Sequence, residues 1–507
     1  MLARTLMVQG TASSVGKSIL VTALCRLFRQ EGLRVAPFKA QNMALNSFVT
    51  PDGKEIGRAQ AVQAEACGVE PAVEMNPILL KPEGDARSQV VVLGRAIGSM
   101  TAADYHAHKP DLHSVVAESL ARLRRSFDLV IIEGAGSPVE VNLKDRDIVN
   151  MHVARLADAP VLLVGDIDRG GVFAAFVGTM ELLDRDERAR VAAFVVNKFR
   201  GDVNLLAPGL VFISDRTGIP VLGVIPYIED LRIAEEDSVG LDGRARRGRP
   251  PRDHVDIAVV RLPRISNYDD FQPLEHEPGV TVRFIDGLRD ALEPDLVILP
   301  GSKSTASDLA WLRARGLADA IVQRAGGGGP VLGICGGCQM LGHRIRDPHG
   351  VESGERVVPS LGLLPIETRF EREKITAQLR ARVLCPSWLG DGVVGELSGY
   401  EIHMGVVERV AHAGAPFEIV RRNGRDVHVP DGAVDESGTV VGTMIHGVFG
   451  NETVRASLLR FLRRRKGAAG LPSPTNGTGA SYDTLAGIVR RHVDWGLLQR
   501  LAGMARS

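Results

Sequence analysis

Two short stretches carry side chains able to do chemistry at neutral pH. Gly10–Ser18 reads GTASSVGKS, and Val331–Gly342 reads VLGICGGCQMLG. In the first, a glycine-rich turn leaves backbone N–H groups free to cradle phosphates, and the positive end of a following helix adds to their pull. Gly10, Thr11, Val15 and Gly16 would form the cradle, Lys17 would reach the terminal phosphates of a nucleotide such as ATP, and the Ser18 hydroxyl would ligate Mg2+. One extra residue separates Gly10 from Gly16 relative to the usual G-x-x-x-x-G-K-[ST] spacing. The second stretch sets Cys335 at a turn between an apolar run and a helix-forming run. Glycines around it permit a strained elbow that projects a nucleophile, and a helix N-terminus lowers the pKa of a thiol.

Cys335 and Cys338 could instead be a metal or redox pair. A metal site needs two further ligands at suitable spacing, and neither a second C-x-x-C nor a paired histidine motif is present. Cys335 is therefore read as the nucleophile and Cys338 as a packed helix residue. A thiolate nucleophile needs a base, and 13 histidines are available. His446, in TVVGTMIHGVFG, follows an apolar run just as Cys335 does, while His403, in GYEIHMG, stays open as an alternative. Ligands of parallel sheets gather at the carboxyl ends of strands. Glu133 in LVIIEGAG stands at such an end as a second Mg2+ contact, with Asp166 and Asp168 in VGDIDRGG as further candidates. Asn197 and Lys198 in VVNKFRGD could meet a purine edge.

These residues need strands to present them. RTLMVQG, FDLVIIEGAG, APVLLVGDIDRGG, RVAAFVVNKFRGD and IPVLGVIP are short, nearly continuous apolar runs, each ending in polar or turn residues. Strands of this kind are buried on both faces, which predicts a parallel sheet in an α/β fold. VDIAVVRLP, TVRFID, DLVILPGSKST, PVLGICGG and GTVVGTMIHGVFG predict a second such sheet. Between them GLDGRARRGRPPRDH replaces apolar periodicity with Gly, Pro and Arg and reads as a linker. The division expected is residues 1–240 as a phosphate-loop domain, 241–254 as linker, 255–455 as a second α/β domain, and 456–507 as a flexible segment followed by a terminal helix.

A chain of 507 residues exceeds one ordinary core, in keeping with two domains. Lys+Arg and Asp+Glu are equal at 61 each, which gives no electrostatic reason to bind nucleic acid or an acidic membrane. No apolar run approaches the roughly 18 residues needed to span a bilayer, so a cytoplasmic protein is expected. Five scattered cysteines do not make a disulfide framework.

GICGGCQMLG resembles the elbow of class I glutamine amidotransferases, and LPGSKST resembles their oxyanion-strand turn. The phosphate loop is similar to that of dethiobiotin synthetase. Together with the stretch from QNMALNS to NPILLKP, EGAGSPVEVNL, DIDRGGVFA, NKFRGD and SGYEIHMG, the pattern resembles the cobyric acid synthase family. That resemblance implies a phosphate-loop synthetase domain followed by a flavodoxin-like glutamine amidotransferase domain. It implies ATP- and glutamine-dependent amidation of four carboxylates of adenosylcobyrinic acid a,c-diamide. Cys335 would be the nucleophile, His446 its base, and backbone N–H groups near Gly301 and Gly336 the oxyanion hole. Most class I amidotransferases place a glutamate two residues after that histidine. Val448 stands there in this chain, as the branch lacks the glutamate, and Glu452 is only a weak substitute. Other readings of the same residues are a sister enzyme such as cobyrinic acid a,c-diamide synthase or a cell-wall amidotransferase, a nucleotide-switch protein, and a redox protein using both cysteines.

Overall fold

Near-continuous apolar strands require cover on both faces, and a parallel sheet between helices provides it. The computed structural model describes all residues except 1, 85, 229–232, 234–249, 252, 288–290, 292, 385–386, 411–413, 468–477 and 505–507. Its first sheet runs Val221–Pro226, Val191–Phe199, Val161–Asp166, Arg4–Gly10, Leu129–Glu133 and Val35–Phe38, all parallel. The two-residue period divides its side chains. Met7, Val130, Ile132, Leu163 and Phe194 enter one core, while Leu6, Val8, Ile131, Leu162 and Val195 enter the other.

The second sheet runs Val280–Ile285, Val255–Val260, Leu296–Leu299, Val331–Ile334, Val440–Thr443 and Ala433–Val434, parallel except for the last pair. Both domains are thus the parallel-sheet α/β units that the apolar runs predict. The expected linker at 241–254 lies mostly outside the described residues.

Two mainly antiparallel sheets, each with one parallel pair, were not legible beforehand. One is built around Ile366–Val383 and Leu397–Arg409; the other joins Ile78–Pro82, Arg87–Val92 and Arg95–Thr101 to Gln41–Met43. In Ile366–Val383, only part of one face is buried, so charged residues interrupt the apolar pattern. A small hairpin, Ser47–Val49 with Glu55–Gly57, projects from the first domain against the second.

The terminal helices Thr478–His492 and Trp495–Leu501 pack on the first domain beside helix Lys17–Gln30. Leu485, Ala486, Val489 and Leu498 join its core, and Asp483 pairs with Arg26 at 2.6 Å. The connection between the two helices crosses the edge of the first sheet so closely that a Cβ at Gly223 would lie 2.1 Å from the His492 carbonyl oxygen. Among the described residues, no helix is long and apolar enough to cross a membrane.

Because Leu485 is fully buried, Leu485→Ala should cost about 2–5 kcal/mol, the usual range for a buried leucine. Denaturant unfolding followed by nucleotide-site fluorescence should show an earlier transition. An unchanged midpoint would mean that these helices add nothing to the stability of the first domain.

Candidate active site

At the first site, strand Arg4–Gly10 turns into helix Lys17–Gln30 through a loop pinned from several sides. Thr11 N donates to Val164 O (2.9 Å), Asn197 Nδ2 donates to Val15 O (2.8 Å), and Lys198 Nζ donates to Ser14 O (2.7 Å). Gly16 has φ 100°, and a Cβ there would meet Asn197 Nδ2 at 2.1 Å, so both conformation and space demand glycine. Lys17 Nζ bridges Ala12 O (3.0 Å) and Gly136 O (3.1 Å), drawing together the loop and the segment after Glu133.

Glu133 is fully buried at its strand end. Its Oε1 accepts from Ser18 Oγ (2.8 Å) and Lys39 Nζ (2.9 Å), and its Oε2 accepts from Gln63 Nε2 (2.5 Å). Lys39 and Gln63 are functional neighbours that sequence reasoning missed. Lys39 ends the strand run RVAPF, a signal that could have found it; Gln63 is an ordinary helix residue that only the fold brings in. The hydroxyl and carboxylate oxygens of Ser18 and Glu133 suit a hard cation such as Mg2+, which takes few protein ligands and keeps waters and phosphate oxygens. Among the described residues, no three His, Cys, Asp or Glu side chains form a protein cage for a metal. Asp166 pairs with Lys198 (2.9 Å) and Asp168 with Arg200 (3.2 Å), beside the loop.

At the second site, Cys335 adopts φ 51° and ψ −111° between strand Val331–Ile334 and helix Gly336–Leu341. A β-substituted residue holds such a conformation only where its surroundings impose it. The next two glycines show the imposition. A Cβ at Gly336 would sit 2.8 Å from Ser302 N, and one at Gly337 would sit 1.9 Å from Leu299 O. The elbow is thus wedged against the turn containing Gly301, where a Cβ would come 3.0 Å from His446 Cε1. Cys338 is fully buried, burial pushes its thiol pKa well up, and its sulfur packs below Gly442.

His446 is buried in the same site. Its Nδ1 hydrogen-bonds Asp270 Oδ2 at 2.6 Å, and Gly447 N donates to Asp270 Oδ1 at 2.8 Å. The Tyr400 ring stacks on the imidazole, with centroids 5.2 Å apart. Burial disfavours the charged imidazole, but the negative charge of Asp270, and of the Cys335 sulfur when ionised, outweighs it and lifts the pKa to about 10. The thiol makes no hydrogen bond of normal geometry to Nε2; Cys335 Sγ instead lies 3.9 Å from Ile402 O. His403, the other histidine considered, is engaged elsewhere, with Nδ1 at 3.0 Å from Gly405 O and Nε2 facing Glu401.

Asp270 was missed by sequence reasoning. It comes from the turn SNYDDFQ, 176 residues before His446, and stands where Glu452 had been weighed. Its one advance signal was the doubled carboxylate Asp269–Asp270. A small cavity at Cys335 is lined by both domains, with Lys81 of the first facing Asn267, Lys303, Glu352 and Lys374 of the second.

A thiol held on a strained elbow beside an imidazole–carboxylate pair, joined to a phosphate loop with a buried glutamate, defines the class: a glutamine amidotransferase domain coupled to a nucleotide-binding domain. Residues 256–454 match the family described as CobB/CobQ-like glutamine amidotransferase domain, and residues 6–240 match the CobQ/CobB/MinD/ParA nucleotide binding domain. A cobyric acid synthase of Sorangium cellulosum (strain So ce56) is 62% identical over 520 aligned positions, covering 100% of each chain. Those of Dehalococcoides mccartyi (strain CBDB1) and Moorella thermoacetica (strain ATCC 39073 / JCM 9320) are 52% and 51% identical, covering 97% of both chains in the first case and 100% of this chain and 98% of the relative in the second. The chain belongs to the cobyric acid synthase family.

A histidine pKa raised by folding contributes stability that is fully present below the unfolded value, about 6.5, and is lost as pH rises through about 10. The stability gap between the wild type and His446→Gln, measured by denaturant unfolding from about pH 6 to about pH 10, should therefore narrow at the alkaline end. A gap that stays constant would show that Asp270 does not hold a charged imidazole.

Proposed function

We propose that this enzyme uses ATP and glutamine to amidate the b, d, e and g carboxylates of adenosylcobyrinic acid a,c-diamide, giving adenosylcobyric acid in cobalamin biosynthesis. The observation that carries the reading is the pairing, in one chain of this family, of the Cys335–His446–Asp270 site with the Gly10–Ser18 loop and Glu133.

In the glutaminase half, the Cys335 sulfur attacks the carboxamide carbon of glutamine. Backbone N–H groups around Gly301 and Gly336 hold the oxyanion, and His446 gives a proton to the departing nitrogen. The C–N bond breaks, ammonia leaves, and water then cleaves the thioester to release glutamate. Asp270 keeps the imidazole oriented and favours its charged form. In the synthetase half, a substrate carboxylate oxygen attacks the γ-phosphorus of ATP and ADP departs. Ammonia attacks the resulting acyl phosphate, phosphate leaves, and a proton is lost. The Gly10–Gly16 backbone and Lys17 would bind the phosphates, with Asn197 beside the loop, while Ser18 and Glu133 would hold Mg2+, whose charge offsets that of the transferring phosphoryl group. Ammonia would pass between the halves inside the protein, where bulk water cannot protonate it.

The deciding experiment supplies ATP, Mg2+, the a,c-diamide and either glutamine or ammonia, and counts added amides by mass. Cys335→Ser should lose the use of glutamine and keep the use of ammonia at mildly alkaline pH. Lys17→Ala should lose both, since unbalanced phosphate charge raises the barrier by several kcal/mol. No mass change in the wild type, or a folded Cys335→Ser protein that ammonia does not rescue, would refute the division of labour.

Glu133→Gln should weaken ATP turnover and respond to added Mg2+, because an amide is a poorer ligand than a carboxylate for this hard ion. Full activity at low Mg2+ would remove Glu133 from the metal site.

A further inference from the structure

We infer that the first domain positions the glutaminase imidazole, through the hairpin Ser47–Gly57 and Arg58, so that glutamine hydrolysis reaches full rate only while the two domains are docked. The inference rests on reading Cys335 and His446 as a glutaminase pair. His446 is supported along its edge by Asp270 and across its face by Tyr400. Neither support is held by the second domain alone.

The edge support sits in a turn fastened from across the domain boundary. Asp269, the neighbour of Asp270, pairs with Arg58 Nε at 2.9 Å. Ser47 N donates to Asn267 Oδ1 at 3.0 Å, and Tyr268 N donates to Asn46 Oδ1 at 3.3 Å. Asn267 itself lies in the left-handed region at φ 52°, a conformation an asparagine adopts when its neighbours favour it. Three ties from residues 46, 47 and 58 thus set the path of residues 267–270.

The face support is backed by the same hairpin. The Phe48 ring lies 6.1 Å from Tyr400, and Val49 packs with Tyr400 and Ile402 in a small cluster of its own. Arg58 also lies over the Phe48 ring, at 5.3 Å. One guanidinium therefore holds Asp269, the neighbour of the carboxylate that orients His446, and also the Phe48 ring that backs Tyr400. Ile402, in the same cluster as Tyr400, offers its carbonyl to Cys335 Sγ. Displacing the hairpin would disturb both members of the thiol–imidazole pair, and misplacement of about 1 Å can cost roughly 100-fold in rate.

Arg58 is accordingly a positioning residue, and its loss should separate three readouts. Glutamate release is measured without corrinoid, and ammonia-dependent amidation is measured on the same samples. Arg58→Ala should lower kcat for glutamine hydrolysis roughly 10- to 100-fold, leave KM for glutamine within about twofold, and leave ammonia-dependent amidation within about twofold. Arg58→Lys, which keeps the cation beside Asp269, should recover part of the lost kcat. If Arg58→Ala fails to fold, Phe48→Leu, which keeps apolar bulk and removes the ring, should lower kcat in the same selective way. Wild-type kcat in Arg58→Ala or Phe48→Leu overturns the inference, as does a parallel fall in glutamine- and ammonia-dependent activities. A wild-type protein that releases no glutamate overturns the reading of the glutaminase site itself, and this inference with it.

Discussion

The structure turns on a buried carboxylate between two lysines. Glu55 of the first domain is 1% exposed and lies 2.7 Å from Lys81 of its own domain and 2.5 Å from Lys374 of the other. Burial opposes its ionisation, but Lys374 and Lys81 outweigh that cost and hold its carboxyl well below the usual range. Removing the carboxylate would leave two lysines facing each other in a buried site with no counter-charge, and breaking a buried pair in this way costs about 3–5 kcal/mol. The docked arrangement is therefore the one in which these charges are satisfied. Glu55 lies in the hairpin that also presents Phe48 and leads into Arg58, so the ion triad fixes where those side chains stand relative to His446. A second tie, Lys303 to Glu83 at 2.9 Å, joins the domains beside the same cavity.

The two sites solve opposite electrostatic problems. The phosphate loop must attract negative charge, yet Glu133 lies fully buried at its base. Lys39 and Gln63 reconcile the two by hydrogen-bonding the carboxylate while Lys17 is held over the loop by backbone carbonyls. The glutaminase site must instead favour charge separation between sulfur and imidazole in a dry setting. A single carboxylate, Asp270, provides for this by accepting from both His446 Nδ1 and Gly447 N. In each case a buried acid is tolerated because donors meet both of its carboxylate oxygens.

How much could be read in advance follows from how each element is buried. Most strands of both parallel sheets were legible because burial on two faces leaves continuous apolar runs, as in Leu129–Glu133 and Val331–Ile334, while the short edge strands Val35–Phe38 and Ala433–Val434 were not. The strand-end positions of Glu133 and Cys335 followed from those runs. Ile366–Val383 was not legible because its exposed face mixes charges into the pattern, and Leu397–Arg409 because the buried Glu401 and His403 interrupt its apolar run. Asp270 was hidden for a different reason. It lies in a turn with no periodicity, and its partner is 176 residues away, so only the closed fold brings them together. Gln63 and Arg58 share that character: each is an unremarkable residue locally and gains its role from a contact across elements, whereas Lys39 carries a local signal in its place after the run RVAPF.

The return of helices Thr478–His492 and Trp495–Leu501 to the first domain makes the second domain an insertion in spatial terms, although it is a simple successor in sequence. The face of the first sheet that carries Leu24 and Phe28 is closed by the last residues of the described chain. During synthesis from the amino end, the strands of the glutaminase sheet are therefore all available before that face can be covered. The emerging polypeptide thus carries a nucleotide-binding domain with part of one face uncovered while the whole glutaminase domain is made.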